Sequence, residues 1–183
     1  MQRRDVLKTL VTVFLASAGY SASAPQSKRS RWKTAFGLNG FASSSRKYGK
    51  IFPIWEVLGF AAQTGFDGIE LHGTWPMGAY PKPKEPQRIS ALKRLYDAYD
   101  LQVFSIQTGA GGGFSPAAVN RKRWLEEFRD QAHFAKALGC DCISMWPGGR
   151  LQRQTLQEAI VHLGQSFREA AKIAHDLGLT DNG

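Results

Sequence analysis

The sequence predicts an α/β fold of the (β/α) TIM-barrel type, with about four βα units and parallel strands. Three observations support this prediction. Apolar runs of strand length alternate with amphipathic stretches of helix length, glycine follows three of the helices, and the strands carry polar residues on one face. With 183 residues, 43% of them hydrophobic, the chain is long enough for one domain with its own core.

Four predicted strands and four predicted helices follow one another in alternation. The strands are residues 34–41, 66–72, 101–108 and 141–146, and the helices are residues 53–64, 86–99, 120–138 and 155–177. Within the helices apolar residues recur every three or four positions, as in Trp124 and Phe128. Gly65, Gly139 and Gly178 stand where a left-handed residue would end a helix.

Side-chain alternation along the strands favours a barrel over a doubly wound sheet, although the βα pattern alone allows both. The residues predicted to face the helices are apolar: Ile69, Leu71, Phe104, Ile106, Ile143 and Met145. The opposite set comprises Glu70, His72, Ser105, Gln107, Ser144 and Trp146, with Asn39 on the first strand. Its polar members lie near the carboxyl ends of the strands, where parallel strands present ligand sites. This face is therefore the predicted barrel mouth.

Three phrases of the sequence resemble one family. Gly-Phe-Asp-Gly-Ile-Glu-Leu at 65–71, Ala-Lys-Ala-Leu-Gly-Cys-Asp at 135–141 and the segment 170–179 resemble parts of the sugar phosphate isomerase/epimerase superfamily, the xylose isomerase-like TIM barrels. They match the family's second strand, its helix before the fourth strand and its helix before the fifth. The resemblance covers residues 34–179, the N-terminal half of a family barrel.

The resemblance implies a divalent metal cofactor and an isomerase activity. Members hold the metal with Glu, Asp, His and Glu side chains from strands five to eight and move protons between adjacent carbons of a sugar. Those strands are expected to lie beyond this chain, which we predict to be truncated before strand five. The metal ligands are therefore expected to be absent from it, and neither metal-binding nor catalytic residues are assigned.

Five residues are predicted to bind a small, sugar-like substrate: Glu70, His72, Gln107, Trp146 and Asn39. Glu70 would otherwise pair with a lysine or cap a helix, but carboxylates are rarely buried without a partner. His72 would bind a metal, contact the substrate or lie at the edge of the loop after the strand; the substrate contact is favoured, because no second metal ligand is in register with it. The Trp146 indole would either stack on a sugar ring or fill the barrel top.

The leading functional hypothesis is a sugar isomerase or epimerase with metal-dependent proton transfer in the complete barrel. Two alternatives remain open: a catalytically inactive barrel remnant or assembly module, and an endonuclease that acts at abasic sites. Four βα units leave apolar strand edges, so self-association or a second half-barrel is expected to close the sheet.

Charge and the N-terminal pattern bear on location and partners. Residues 1–33 hold seven Lys/Arg and one Asp, so +6 of the net charge of +9 lies there and only +3 in residues 34–183. A nucleic-acid partner is therefore not expected. Residues 1–24 resemble a twin-arginine export signal with a small-residue cleavage site, which predicts a periplasmic or exported protein without a stable membrane anchor. A basic linker, 25–33, precedes the barrel domain, 34–183.

Two further segments allow more than one interpretation. The glycine run 109–113 suggests either a phosphate cradle or a flexible βα loop, and the loop is favoured because residues 114–116 intervene before the next helix. Arg121, Lys122 and Arg123 form either a solvated face or a phosphate contact. The solvated face is favoured, since the helix dipole disfavours cations at a helix start.

Cys140 and Cys142 are the only cysteines of the chain. In an extended segment residues two apart point the same way at a poor separation for a disulfide, so two thiols are expected. A single Cys-x-Cys also falls short of the four ligands of a structural zinc site.

Overall fold

The computed structural model describes residues 32–72, 81–109 and 111–181. One parallel sheet contains the strands β1 (Ala35–Gly37), β2 (Gly68–His72), β3 (Gln102–Gln107), β4 (Cys142–Ser144) and β5 (Thr180–Asp181). The helices are α1 (Asn39–Tyr48), α2 (Ile54–Gln63), α3 (Pro86–Ala98), α4 (Ala118–Leu138) and α5 (Leu156–Asp176). Residues 1–31, which include the predicted export signal and most of the basic linker, lie outside the described residues.

Strand order decides between the two architectures that the βα pattern allows. The strands lie side by side in the order β1-β2-β3-β4-β5, all parallel. A doubly wound sheet reverses its order at a switch point, whereas a barrel adds each strand beside the previous one. The described sheet is therefore part of a (β/α) barrel, as predicted.

Three helices end in the same way and lead directly into strands. Gly65, Gly139 and Gly178 adopt left-handed backbone conformations, with φ of 82°, 76° and 66°. The residue after each glycine donates its backbone N–H to a carbonyl five residues earlier, as in Cys140 to Ala135 at 3.0 Å. At such a helix end, backbone hydrogen bonds pair carbonyls that would otherwise have no partner within the helix. The prediction that these three glycines end helices is confirmed.

The core lies between the sheet and its helices. Ile69, Leu71, Ile106 and Ile143 are fully buried, which confirms their predicted orientation towards the helices. Between α4 and α5 the ring of Trp124 stacks on Phe128 and Phe167, with centroid distances of 6.2 and 6.1 Å. Burying aromatic rings at this contact stabilises the helix pair that backs β3, β4 and β5.

Phe104 does not face the helices, so that prediction is wrong. Ile69 pairs with Val103 but Glu70 pairs with Ser105, which leaves Phe104 as an extra residue in β3. Such a bulge resets the alternation of side chains. The ring of Phe104 lies over Gly68 on the Glu70 side of the sheet, while Val103 is buried in the core. Nothing in the local pattern of β3 signals this extra residue.

The first strand is shorter than predicted, and Asn39 lies on a helix rather than on β1. Residues 34–41 were expected to be extended, but β1 ends at Gly37 and α1 begins at Asn39. The serine-rich sequence of α1 has weak helix propensity. The helix is held by tertiary packing instead: Phe41 contacts Phe36 and Phe52, with ring centroids 5.5 and 5.1 Å apart.

A fifth strand is present, so the prediction that the chain ends before strand five is wrong. Thr180 and Asp181 pair in parallel with Cys142 and Ile143 of β4. Two residues are too few to carry an alternation pattern, so the sequence offered no signal beyond Gly178. None of the described helices is long and apolar enough to cross a membrane.

Candidate functional site

Glu70 and Ser105 lie opposite each other on β2 and β3 and are joined by a hydrogen bond. The Ser105 hydroxyl donates to the Glu70 carboxylate Oε2 at 2.8 Å. Both residues are half-buried. Among the described residues the partner of Glu70 is thus a strand neighbour, and neither the lysine nor the helix cap considered from the sequence takes that place. One serine donor leaves carboxylate lone pairs available to a ligand hydroxyl.

His72 and Gln107 form the next pair on the same face of the same two strands, two residues further along. His72 Nδ1 and Gln107 Oε1 are shielded from solvent, and neither atom has a hydrogen-bond partner within residues 32–72, 81–109 and 111–181. Buried polar atoms without a partner are costly and uncommon, so this pair is a candidate contact for a ligand. A ligand hydroxyl both donates and accepts, and therefore suits an imidazole nitrogen beside an amide oxygen.

Thr108 follows Gln107 at the end of β3 and was not predicted as a site residue. Its backbone N–H donates to the Ser144 carbonyl at 2.9 Å, while its buried Oγ1 has no partner in the described part of the chain. The position directly after the strand was its only sequence signal. The unpartnered atoms of His72, Gln107 and Thr108 thus all belong to residues at or directly after the carboxyl ends of β2 and β3.

Trp146 and Asn39 stand apart from this group. Trp146 lies two residues beyond β4 with 56% of its surface exposed, and its backbone carbonyl accepts from Trp124 Nε1 at 3.2 Å. Asn39 is exposed at the start of α1. No hydrogen bond among the described residues joins either side chain to Glu70, His72 or Gln107. An open indole next to a strand end nevertheless has a free face for stacking.

The sequence pattern of the xylose isomerase-like TIM barrel family matches residues 58–180, about two thirds of the chain. The chain belongs to this family. Its matched segment contains β2, β3 and β4, and so includes the Glu70, His72 and Gln107 positions. No curated protein matched the chain.

Solved structures with the same fold are sugar-converting enzymes and a zinc-binding relative. A sugar phosphate isomerase/epimerase from Parabacteroides distasonis is 14% identical, with a TM-score of 0.60 over 87% of this chain and 53% of its own. D-psicose 3-epimerase from Clostridium cellulolyticum, solved with D-tagatose, is 18% identical, with a TM-score of 0.62 over 82% and 51%. The IOLI protein with a bound zinc atom is 14% identical, with a TM-score of 0.62 over 82% and 50%. The chain spans about half the length of these structures.

The described residues do not fit a metal centre on their own. Within residues 32–72, 81–109 and 111–181 no group of three or more His, Cys, Asp and Glu side chains converges to hold an ion. Cys140 and Cys142 form no disulfide, as predicted, and burial raises the pKa of the Cys140 thiol to about 11.

Proposed function

We propose that the chain binds a sugar or sugar derivative through Glu70, His72 and Gln107, as part of a sugar isomerase/epimerase-like barrel. Burial of His72 Nδ1 and Gln107 Oε1 without partners in the described residues carries the proposal. The two residues lie two positions further along β2 and β3 than the Glu70 and Ser105 pair, which is joined by a hydrogen bond. Together they offer an acceptor carboxylate, an imidazole and an amide on one face, a set that suits the hydroxyls of a sugar.

The reaction proposed for the complete barrel is proton transfer between adjacent carbons of that sugar. Family membership and the epimerase neighbours support it, and the zinc in the IOLI protein supports a divalent metal in the family. In this proposal Glu70, His72 and Gln107 bind and orient hydroxyls. We assign them no proton transfer at carbon and no metal, because the described residues form no metal-binding group.

We propose further that more strands complete the barrel beside β1 and β5, supplied by a second copy or by a second half-barrel. The parallel order β1-β2-β3-β4-β5 supports an arc of a barrel, and an unpaired strand edge favours added strands. A sedimentation mass of 20.3 kDa at all concentrations would exclude the second copy.

We also propose export, which is supported by the twin-arginine-like residues 1–24.

Binding of D-fructose to the full chain, followed by ¹H–¹⁵N NMR, tests the sugar site. We expect saturable shifts of the His72 ring nitrogens and of the amides near Gln107, loss of both in the Glu70→Gln variant, and loss of the amide shifts in the His72→Gln variant. Glu127→Gln and His133→Gln are matched controls, because both parent side chains are exposed on α4. Absence of saturable shifts, or shifts that survive Glu70→Gln and His72→Gln, would refute the proposal.

A further inference from the structure

A cavity lies at the same end of the sheet, between two βα loops. We call it the loop cavity: it is about 210 Å³ in volume and lies between the loop after β3, residues 108–117, and the loop after β4, residues 145–155. The share of liquid volume per water is about 30 Å³, so the cavity has room for about seven waters or one compact polyatomic ion. Nothing in the sugar-site proposal uses it.

The two loops are fastened to each other, so the cavity walls are set before any ligand binds. Gly112 donates its backbone N–H to the Pro147 and Gly148 carbonyls at 3.2 and 3.0 Å, and Gly113 donates to Pro147 at 3.0 Å. From α5, the buried Ser166 hydroxyl donates to the Gly113 carbonyl at 2.6 Å. A preformed wall reduces the ordering cost of binding.

Glycine is required where the loops meet. Gly112 and Gly149 have φ of 116° and 131°, which other residues rarely adopt. A Cβ on Gly113 would come within 3.2 Å of the Trp124 ring. Gly112 and Gly113 of the glycine run thus lie in a βα loop that packs against the loop after β4.

Two arginines line the loop cavity, and no acidic residue lies among its described lining residues. Arg123 comes from α4 and Arg150 from the loop after β4. Neither guanidinium forms an ion pair within the described part of the chain. Two unneutralised guanidinium groups beside one cavity attract an anion, and their planar forks match phosphate oxygens.

The three basic residues at the start of α4 make different contacts, and among them Arg123 alone lines the loop cavity. Arg121 donates to the Ser115 and Pro116 carbonyls at 2.6 and 3.1 Å, so it holds the loop. Lys122 lies 4.0 Å from the Glu126 carboxylate on the exposed face of the helix. Arg123 lines the cavity instead. The interpretation as a solvated face therefore suits Lys122, and the interpretation as a phosphate contact suits Arg123.

Ser115 supplies an independent signal. It lines the cavity with 6% of its surface exposed. Its hydroxyl oxygen accepts from the Ala117 backbone N–H at 3.3 Å and from Asn120 Nδ2 at 3.0 Å. Its own O–H has no acceptor in the described residues. A buried hydroxyl that lacks an acceptor fits an anion, which only accepts hydrogen bonds.

We propose that the loop cavity binds a phosphate group through Arg123, Arg150 and the Ser115 hydroxyl. It opens after β3 and β4, at the sheet end that also carries His72 and Gln107. The phosphate would therefore be that of a sugar phosphate whose hydroxyls occupy the sugar site, and in this respect alone the inference rests on the proposed function. Free phosphate offers the same chemistry, and the experiment separates the two sources.

Titration of the full chain with inorganic phosphate in moderate salt tests the loop cavity, because salt screens unspecific attraction. The Arg123→Gln/Arg150→Gln variant should bind phosphate at least about tenfold more weakly than the unchanged chain. Arg129→Gln/Arg168→Gln removes the same charge from exposed positions on α4 and α5 and should leave affinity unchanged. Equal affinity in all three proteins, or no binding to any, would overturn the inference.

A second arm compares D-fructose 6-phosphate with D-fructose and inorganic phosphate. If one ligand spans both sites, the sugar phosphate binds more tightly than either fragment, and Glu70→Gln weakens the sugar phosphate but not inorganic phosphate. If Glu70→Gln leaves the sugar phosphate unaffected while Arg123→Gln/Arg150→Gln weakens it, the sugar site fails and the phosphate site stands. Tight sugar binding without any arginine dependence would mean that the phosphate site fails and the sugar site stands.

Discussion

The ring of Phe104 lies against Gly68, in the space where any other residue would carry its side chain. A Cβ on Gly68 would approach the Phe104 ring to 2.6 Å and the Gln102 carbonyl oxygen to 2.2 Å. The carbonyl belongs to the backbone of β3 and cannot turn aside. β2 and β3 therefore need glycine at position 68, and the bulge at Phe104 depends on it.

Gly68→Ala should lower the free energy of unfolding by about 3 kcal/mol, because the strands must separate locally to admit the methyl group. Gly164→Ala is the matched control: Gly164 lies in α5, where a Cβ would meet no atom within 4 Å. This control should raise the stability by about 0.5 to 1 kcal/mol through helix propensity. Urea unfolding measures both. Similar stabilities for the two variants would contradict the close contact.

The hydrogen bond from Ser105 to Glu70 should appear as a coupling energy between the two positions. In a double-mutant cycle of Ser105→Ala with Glu70→Ala, we expect a coupling of about 1 kcal/mol in the free energy of unfolding. Ser90 lies exposed on α3, so the cycle of Ser90→Ala with Glu70→Ala should give a coupling of about zero. Equal couplings in the two cycles would show that the 2.8 Å contact contributes nothing specific.

Features determined by neighbouring residues could be predicted from the sequence. The helix ends at Gly65, Gly139 and Gly178 follow from a left-handed glycine and two local hydrogen bonds. The alternation along β2 also placed Glu70 and His72 together, opposite the buried Ile69 and Leu71. The polar face at the strand ends, rather than the βα pattern itself, favoured the barrel order that the sheet shows.

Features that depend on distant contacts could not be predicted. The bulge at Phe104 exists because β3 must pair with β2, and no residue of β3 encodes it alone. The helix α1 forms on aromatic contacts despite its poor propensity. The loop cavity brings Arg123 of α4 beside Arg150 of the loop after β4. A pattern of residues along one sequence does not show which distant residues will lie next to each other in the fold.

The buried Cys140 thiol should make the fold less stable at alkaline pH. Burial raises the pKa of Cys140 from 9.0 to about 11, and burial also raises the pKa of Tyr96. The folded chain thus holds these protons more tightly than the unfolded chain. The stabilisation is complete below about pH 9 and is lost as the pH rises towards about 11.

Urea unfolding at several alkaline pH values checks this dependence. We expect the free energy of unfolding of Cys140→Ala to fall less steeply with pH than that of the unchanged chain, because one of the two raised groups is gone. Tyr96→Phe, which removes the other raised group, should flatten the slope in the same sense. A slope that is unchanged by Cys140→Ala would remove Cys140 as a source of the alkaline loss.

The hydrogen bond from Ser166 to Gly113 should fix the loop after β3 to α5. Its donor and acceptor are 2.6 Å apart and Ser166 is buried, so Ser166→Ala leaves the Gly113 carbonyl without this partner. We expect a loss of about 1 to 2 kcal/mol in unfolding free energy, because the gain in helix propensity only partly offsets the missing bond. Hydrogen exchange at the Gly112 and Gly113 amides should also become faster, since their bonds to Pro147 depend on the same loop position. Gln165→Ala changes the exposed neighbour on the same helix and should leave exchange at both glycines as it was. Faster exchange in Gln165→Ala, or unchanged exchange in Ser166→Ala, would mean that the loop is held without α5.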